Sequence, residues 1–256
     1  MTRLYVFIIC LFILLLYRYI SVSNDYKNPH TSVVQTIWDK SLIPKEIHDN
    51  WDRYHPGVRI VLDDKECLRF LGKYFGERYV SKYNSIKKGA HRADLFRYAW
   101  LYKNGGIYCD IKTELIKPID EIFIDDKKCY MVYTGRSRIY NGIIATPPNN
   151  PIMFKLLEDV VLNFDIKGKN YLWICQSGYK IIQGLCANGN IQRGDNYLLN
   201  DDMPVVHFFQ ERYRPKRECV QGVDRYKVCT FIYDWFGNKI LKVRHHKYPW
   251  KKQLSE

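Results

Sequence analysis

The sequence predicts an α/β domain with a largely parallel central sheet, and three observations carry the prediction. β-prone runs alternate with helix-patterned runs through the first half of the chain. The stretch Ala90 to Asp120 joins an uninterrupted helix pattern, a double glycine and a short strand in one continuous unit. A carboxylate, Asp110, falls where that strand ends. Ligands of open α/β sheets gather beyond the carboxyl ends of strands, so Asp110 is placed to meet a substrate or its metal.

In chain order, Val33 to Ile37 is a β-prone run closed by Trp38. Pro44 to Trp51 suits a short helix or turn, and Val58 to Leu62 a second strand before Asp63-Asp64. Cys67 to Tyr83 is patterned as a helix, weakened by Gly72 and Gly76. From Ala90 to Lys103 no Gly or Pro intervenes, and Ala93, Phe96 and Trp100, or Leu95, Tyr98 and Tyr102, fall at helical spacing. Gly105 and Gly106 end that helix, because glycine takes the left-handed conformation with no Cβ penalty. The strand Ile107-Tyr108-Cys109 comes next, then a turn at Lys117-Pro118 and a strand from Cys129 to Thr134. Asn149-Asn150-Pro151 starts a helix that Ile152, Lys155, Leu156 and Asp159 to Leu162 continue. Beyond Asn163 the clearest runs are Val205 to Phe209 and Tyr226 to Tyr233, the latter leading into a hairpin connection at Asp234 to Lys239.

Composition bounds the class. With 256 residues, 46% hydrophobic and 15% aromatic, the chain can build one domain with a substantial core and does not read as disordered. Forty Lys plus Arg against 27 Asp plus Glu give a formal charge of +13. No nucleic-acid motif accompanies that charge, so nucleic acid is not an expected partner, and an anionic lipid surface or a phosphate-bearing ligand suits it better. There is no C-x-x-C among the eight cysteines and hence little support for zinc; in a lumenal domain Cys175/Cys186 and Cys219/Cys229 are the short-range disulfide candidates, with buried free cysteines as the alternative. Signatures of Ser, Cys or zinc hydrolases are missing as well. Leu4 to Leu16 is an uncharged apolar run between Arg3 and Arg18, short for a membrane span but extensible by its flanks. Cleavage near Ser21-Val22-Ser23 is the rival reading of that segment.

The pattern R-A-D-x-x-R-Y at Arg92 to Tyr98, followed by L-Y-x-x-G-G-I-Y-x-D at Leu101 to Asp110, resembles the core of the DXD-type glycosyltransferases of family 32. The resemblance extends back to Val33–Trp38 with Ile43-Pro44-Lys45, and forward through Lys117–Asp120 and Asn141–Pro148. It implies a GT-A-type nucleotide-sugar fold behind an N-terminal apolar anchor helix: residues 1–20 as signal anchor, 21–32 as a short stem and 33–256 as a catalytic domain on the lumenal side of Golgi or ER membranes. The implied activity is retaining transfer of a sugar, mannose or another hexose, from a nucleotide sugar to a glycan or glycolipid.

Position by position, the resemblance gives Asp94 and Arg97 to the donor sugar hydroxyls and sets Tyr108 beside the donor. Residue type agrees, since a carboxylate and a guanidinium can hold neighbouring hydroxyls by charge-assisted bonds. Trp38 is a candidate to stack on the nucleobase, with a core role as the alternative. Asp110 matches the first acid of D-x-D, but Lys112 stands where the second belongs, so the motif reads D-I-K. Mn²⁺ or Mg²⁺ is the expected cofactor, and the departure leaves three readings open. Glu114 and a C-terminal histidine, His245 or His246, complete the metal site; or the Lys112 ammonium supplies the charge; or the site is degenerate and the protein only binds sugar. His207 is a further candidate ligand.

Overall fold

The computed structural model describes residues 32–55, 57–167, 170–214 and 229–244. The apolar run, the proposed stem up to residue 31, Cys219, the first three residues of the expected strand Tyr226 to Tyr233, His245 and His246 lie outside these residues. Among the described residues no helix is long and apolar enough to cross a membrane.

A single twisted sheet organises the molecule. Its strands are β1 (Val33–Thr36), β2 (Arg59–Leu62), β3 (Gly106–Cys109), β4 (Thr113–Leu115), β5 (Cys129–Gly135), β6 (Arg138–Thr146), β7 (Gly194–Asn196), β8 (Val206–Arg214), β9 (Cys229–Tyr233) and β10 (Lys239–Arg244). The order is β2-β1-β3-β6-β5-β8-β9-β10-β4, with β7 paired to β8 outside that path. Only β1/β2, β1/β3 and β5/β8 run parallel; the other pairs are antiparallel. The expected mainly parallel sheet is therefore corrected to a mixed one. Alternation is legible in the sequence up to β3, but β5/β6 and β9/β10 are joined by tight hairpins, which force antiparallel neighbours.

Six helices flank the sheet: α1 (Lys45–Tyr54), α2 (Asp64–Tyr74), α3 (Glu77–Ser85), α4 (Gly89–Asn104), α5 (Pro151–Lys167) and α6 (Trp173–Leu185). The single helix expected over Cys67 to Tyr83 is two. A capping box between Asp63 and Glu66 starts α2, and Gly76, at φ +85°, breaks the chain before α3. No sequence pattern announces α6.

Two apolar clusters occupy the two sheet faces, as period-2 strands require. Val34, Tyr108 and Ile144 point to one, built with α2 to α6; Val33, Ile107, Cys109 and Ile143 point to the other, built with Ile47 and Trp51 of α1. Cys175 and Cys186 are both free, which corrects their candidate pairing. They lie at the two ends of α6; eleven residues at a helical rise of ~1.5 Å put them ~16 Å apart, far beyond the reach of a disulfide.

Candidate active site

The site begins with where α4 stops. Gly105 caps the helix at φ +65°, its N–H donating to Leu101 O at 2.9 Å. A Cβ there would come within 2.6 Å of Pro148 N and 2.9 Å of Thr146 O, so both conformation and space require glycine. The chain then enters β3 in the middle of the sheet, with β1 on one side and β6 on the other. One residue past the strand, Asp110 still donates its N–H to Gly142 O at 2.7 Å. The turn closes when Thr113 N–H donates to Asp110 O at 2.9 Å, burying Ile111 and bringing Lys112 to the same cavity as Asp110. Helix α1 fixes the strand beyond this turn: Trp51 Nε1 donates to Thr113 O, and Asn50 makes two bonds with the Leu115 backbone.

That cavity, about 670 Å³, opens at the carboxyl end of β3. His91, Asp94 and Arg97 recur every three residues along α4 and form one wall. Arg97, only 3% exposed, is the hub of that wall. Its Nε donates to Ala93 O at 3.1 Å and its Nη1 to Asn141 O, while Nη2 stands 3.5 Å from Asp94 and 3.4 Å from Asp110. The guanidinium also lies 4.2 Å over the Tyr108 ring. Burial alone would depress Arg97, but Tyr108, Asp94 and Asp110 together hold it above its ordinary pKa. On the helix, Asp94 Oδ2 is 3.3 Å from His91 Nδ1.

Asp110 is fixed by two phenols as well. Tyr108 donates to Oδ1 at 3.3 Å and Tyr140, from β6, to Oδ2 at 3.2 Å. Burial keeps both phenols well above their ordinary pKa, so they stay protonated donors. Gly142 makes room for this: a Cβ would fall 2.5 Å from Asp110 Oδ2 and 2.3 Å from the Tyr140 hydroxyl.

The structure thus brings Asp94, Arg97, Asp110 and Lys112 to one cavity and places the other candidates elsewhere. Tyr108 is buried beneath Arg97, off the cavity wall, and holds Asp110 instead of facing a ligand; Thr36 Oγ1 stands 3.1 Å from its hydroxyl. Trp38 is half-buried two residues past Thr36, packed on the α1-side core and off the cavity wall. Glu114 lies off the wall on β4, 3.8 Å from Lys242. His207 pairs with Asp195 at 2.6 Å, and that carboxylate also takes Lys128; none of the three lines the cavity. His246, like His245, falls outside the described residues.

Sequence reading missed the opposite wall. Arg136 and Arg138 flank a tight turn in which Arg136 and Ser137 both take positive φ, 53° and 54°. Tyr140 and Glu211, with Tyr171 and Cys175 at the rim of α6, complete the lining. Glu211 is 7% exposed, and burial, against a weaker pull from Arg138, pushes its carboxyl up to about 7.

Residues 20–128, which hold the α4–β3 unit and Asp110, match the family model described as the glycosyltransferase sugar-binding region containing a DXD motif. Over that stretch the chain is similar to the DXD-type sugar transferases. Among relatives, it is 28% identical over 133 residues to the initiation-specific alpha-1,6-mannosyltransferase of Candida albicans, covering 48% of this chain and 34% of that protein. It is 25% identical over 136 residues to inositol phosphoceramide mannosyltransferase 3 of Schizosaccharomyces pombe, covering 47% and 38%. The chain spans between 34% and 55% of the length of the curated relatives it matches. A solved structure, the PaToxG glycosyltransferase, superposes with a TM-score of 0.43 at 17% identity over 66% of this chain and 79% of that one.

Proposed function

We propose that this chain is a glycosyltransferase of GT-A type that moves a hexose, with mannose first among the candidates, from a nucleotide sugar to a glycan or glycolipid acceptor. One observation carries the reading: Asp94, Arg97 and Asp110, which the family motif spells out along the sequence, converge on a single cavity of about 670 Å³. Asp94 presents a carboxylate and Arg97 a fixed guanidinium edge to sugar hydroxyls. Asp110, with its side chain 34% exposed, faces the diphosphate end. The apolar segment Leu4 to Leu16 would hold the protein in a membrane as a single-pass anchor with a lumenal domain, and secretion after cleavage is its rival.

A divalent cation, which neutralises the departing diphosphate in D-x-D enzymes, fits these residues poorly. Both oxygens of Asp110 already receive phenols, Lys112 replaces the second acid, Glu114 lies beside Lys242, and among the described residues no group of three acids, His or Cys assembles. Positive charge around the cavity comes from the chain itself, from Lys112, Arg136 and Arg138. The same D-I-K departure motivates the alternative, a sugar-binding protein without transfer.

The test is release of nucleotide from a panel of GDP-mannose, UDP-glucose, UDP-galactose and UDP-N-acetylglucosamine by the full chain in detergent, since transferases pass donor slowly to water. At least one donor should be cleaved, and Asp110→Asn should slow that cleavage by about 10²–10³ while the fold survives, as for loss of one preorganised electrostatic contact. Equal turnover in the variant would remove the assignment of Asp110. An intact fold that binds sugar and cleaves nothing is the outcome expected of the binding protein.

A further inference from the structure

β5 and β6 meet in a hairpin whose tip lines the cavity through Thr134, Arg136 and Arg138. Gly135 pairs with Arg138, so Arg136 and Ser137 alone make the turn, and both take positive φ. A two-residue turn of that hand is usually built from Asn-Gly, which adopts the backbone with little strain. Here each tip residue carries a side chain that crowds it. Thr134 braces the turn, its Oγ1 lying 2.9 Å from Gly135 O and 3.3 Å from Arg138 O. Backbone strain held in place by its surroundings gathers where ligands are gripped.

What the tip presents is charge without a protein partner. Arg59, Arg78, Arg92, Arg97 and Arg212 each meet an acceptor within the fold. Among the described residues no hydrogen bond or ion pair engages the guanidinium of Arg136 or Arg138. Arg136 is exposed, whereas Arg138 is half-buried and reaches further in. Its charge pulls on Glu211 of β8 and on Cys175 of α6, yet it forms an ion pair with neither. Two residues along the same face of β6 comes Tyr140, whose hydroxyl donates to Asp110. Four cationic side chains and three carboxylates line the cavity, and burial holds one of those carboxylates, Glu211, toward its neutral form. The excess positive charge calls for an anion, and the planar fork of a guanidinium meets two phosphate oxygens at once.

We propose that this hairpin tip is a phosphate-binding site in which Arg138 and Arg136 hold a phosphate group of the substrate, and it rests on the transfer reading above for which substrate that is. Two sources supply such a group in a glycosyl transfer: the diphosphate of the nucleotide sugar, or a phosphate carried by the acceptor. In either case the guanidiniums bind and orient the group and exchange no proton with it, because arginine stays charged.

The experiment titrates the full chain, in detergent and EDTA, with GDP, UDP, guanosine, uridine and inorganic phosphate. If the site takes the donor diphosphate, Arg138→Gln should weaken GDP or UDP by about 10–100-fold and leave the matching nucleoside within about twofold. If it takes an acceptor phosphate, the nucleotide Kd should hold, and inorganic phosphate should bind the nucleotide-saturated native protein but not the variant. Arg136→Asn combined with Ser137→Gly installs the preferred turn and deletes one guanidinium, so its unfolding midpoint should rise while phosphate affinity falls. Should Arg138→Gln not fold, this second variant decides. Native affinities for nucleotide and phosphate in the variants overturn the proposal alone, as does an equal loss of the nucleoside, which would mark a damaged pocket. A native protein that binds neither nucleotide nor phosphate overturns it together with the transfer reading. Phosphate held at the hairpin of a protein that cleaves no donor would remove the transfer reading and leave the site standing.

Discussion

The two walls of the cavity are built on opposite plans. On the α4–β3 wall one residue gathers the polar contacts: Arg97 meets Ala93, Asn141, Asp94, Asp110 and the Tyr108 ring, while His91 Nε2 has no hydrogen-bond partner among the described residues. On the β6–β8 wall, Glu211 meets neither a hydrogen bond nor an ion pair among the described residues, and Arg136 with Ser137 is held in a backbone conformation that ordinary residues avoid. A satisfied network is a rigid template, since each member fixes the geometry of the next. A carboxylate without a protein partner that lines an open cavity is left for solvent or a ligand to meet. The contrast divides the labour: one wall holds its shape, and the other awaits a partner.

Breaking the satisfied wall should produce the largest effect. Arg97→Ala leaves Asp94 and Asp110 without their shared cation and strips the Asn141 carbonyl of its donor, so we expect a loss of about 3–5 kcal/mol in urea unfolding. Arg97→Lys keeps the charge but not the fork and should fall between that variant and the native protein. A midpoint for Arg97→Ala equal to the native value would show that the network does not hold the wall.

The unsatisfied wall should answer with the opposite sign. The Glu211 carboxyl is raised from an ordinary 4.5 to about 7 by burial, so the folded state favours its neutral form. Its contribution to stability is full below about pH 4.5 and is lost as pH rises through about 7. Glu211→Gln removes the buried charge, and at about pH 8.5 it should be more stable than the native protein by about 3 kcal/mol, a margin that closes near pH 5. A structural carboxylate predicts the reverse. If Glu211→Gln is the less stable protein at that alkaline pH, the plan of two contrasting walls fails at its central residue.

This division also explains what the sequence could show. Asp94, Arg97, Asp110 and Lys112 lie within 19 consecutive residues, and their helix–glycine–strand unit converts spacing directly into a shared cavity wall. Glu211 arrives from β8, about a hundred residues later, through the pairing of β5 with β8 and of β5 with β6. No local pattern distinguishes it from any other acid on a strand. The family resemblance sets Tyr108 beside the donor from its position alone; that Arg97 covers its ring depends on how α4 packs over β3. Helix α6 is hidden because its Gly178 and Gly184 and its mixed polar residues give no clear period, although the packed chain buries Trp173, Ile174 and Ile182.

The smallest effect, and the finest test of the comparison, belongs to Lys112, which lies where the two walls meet. Burial depresses its ammonium and Asp110 only partly opposes this, so an arriving diphosphate would restore the charge that the protein environment discourages. Lys112→Ala should then slow donor cleavage about tenfold, equivalent to ~1.4 kcal/mol, while native activity persists in EDTA. Lys112→Asp rebuilds the acidic pair, and its residual activity should require added Mn²⁺ or Mg²⁺. A native protein that EDTA silences, with Lys112→Ala unaffected, would mean that a cation held by residues beyond the described ones supplies the charge. In that event Lys112 belongs with the satisfied wall, as a residue that shapes the turn after Asp110 and leaves the chemistry to others.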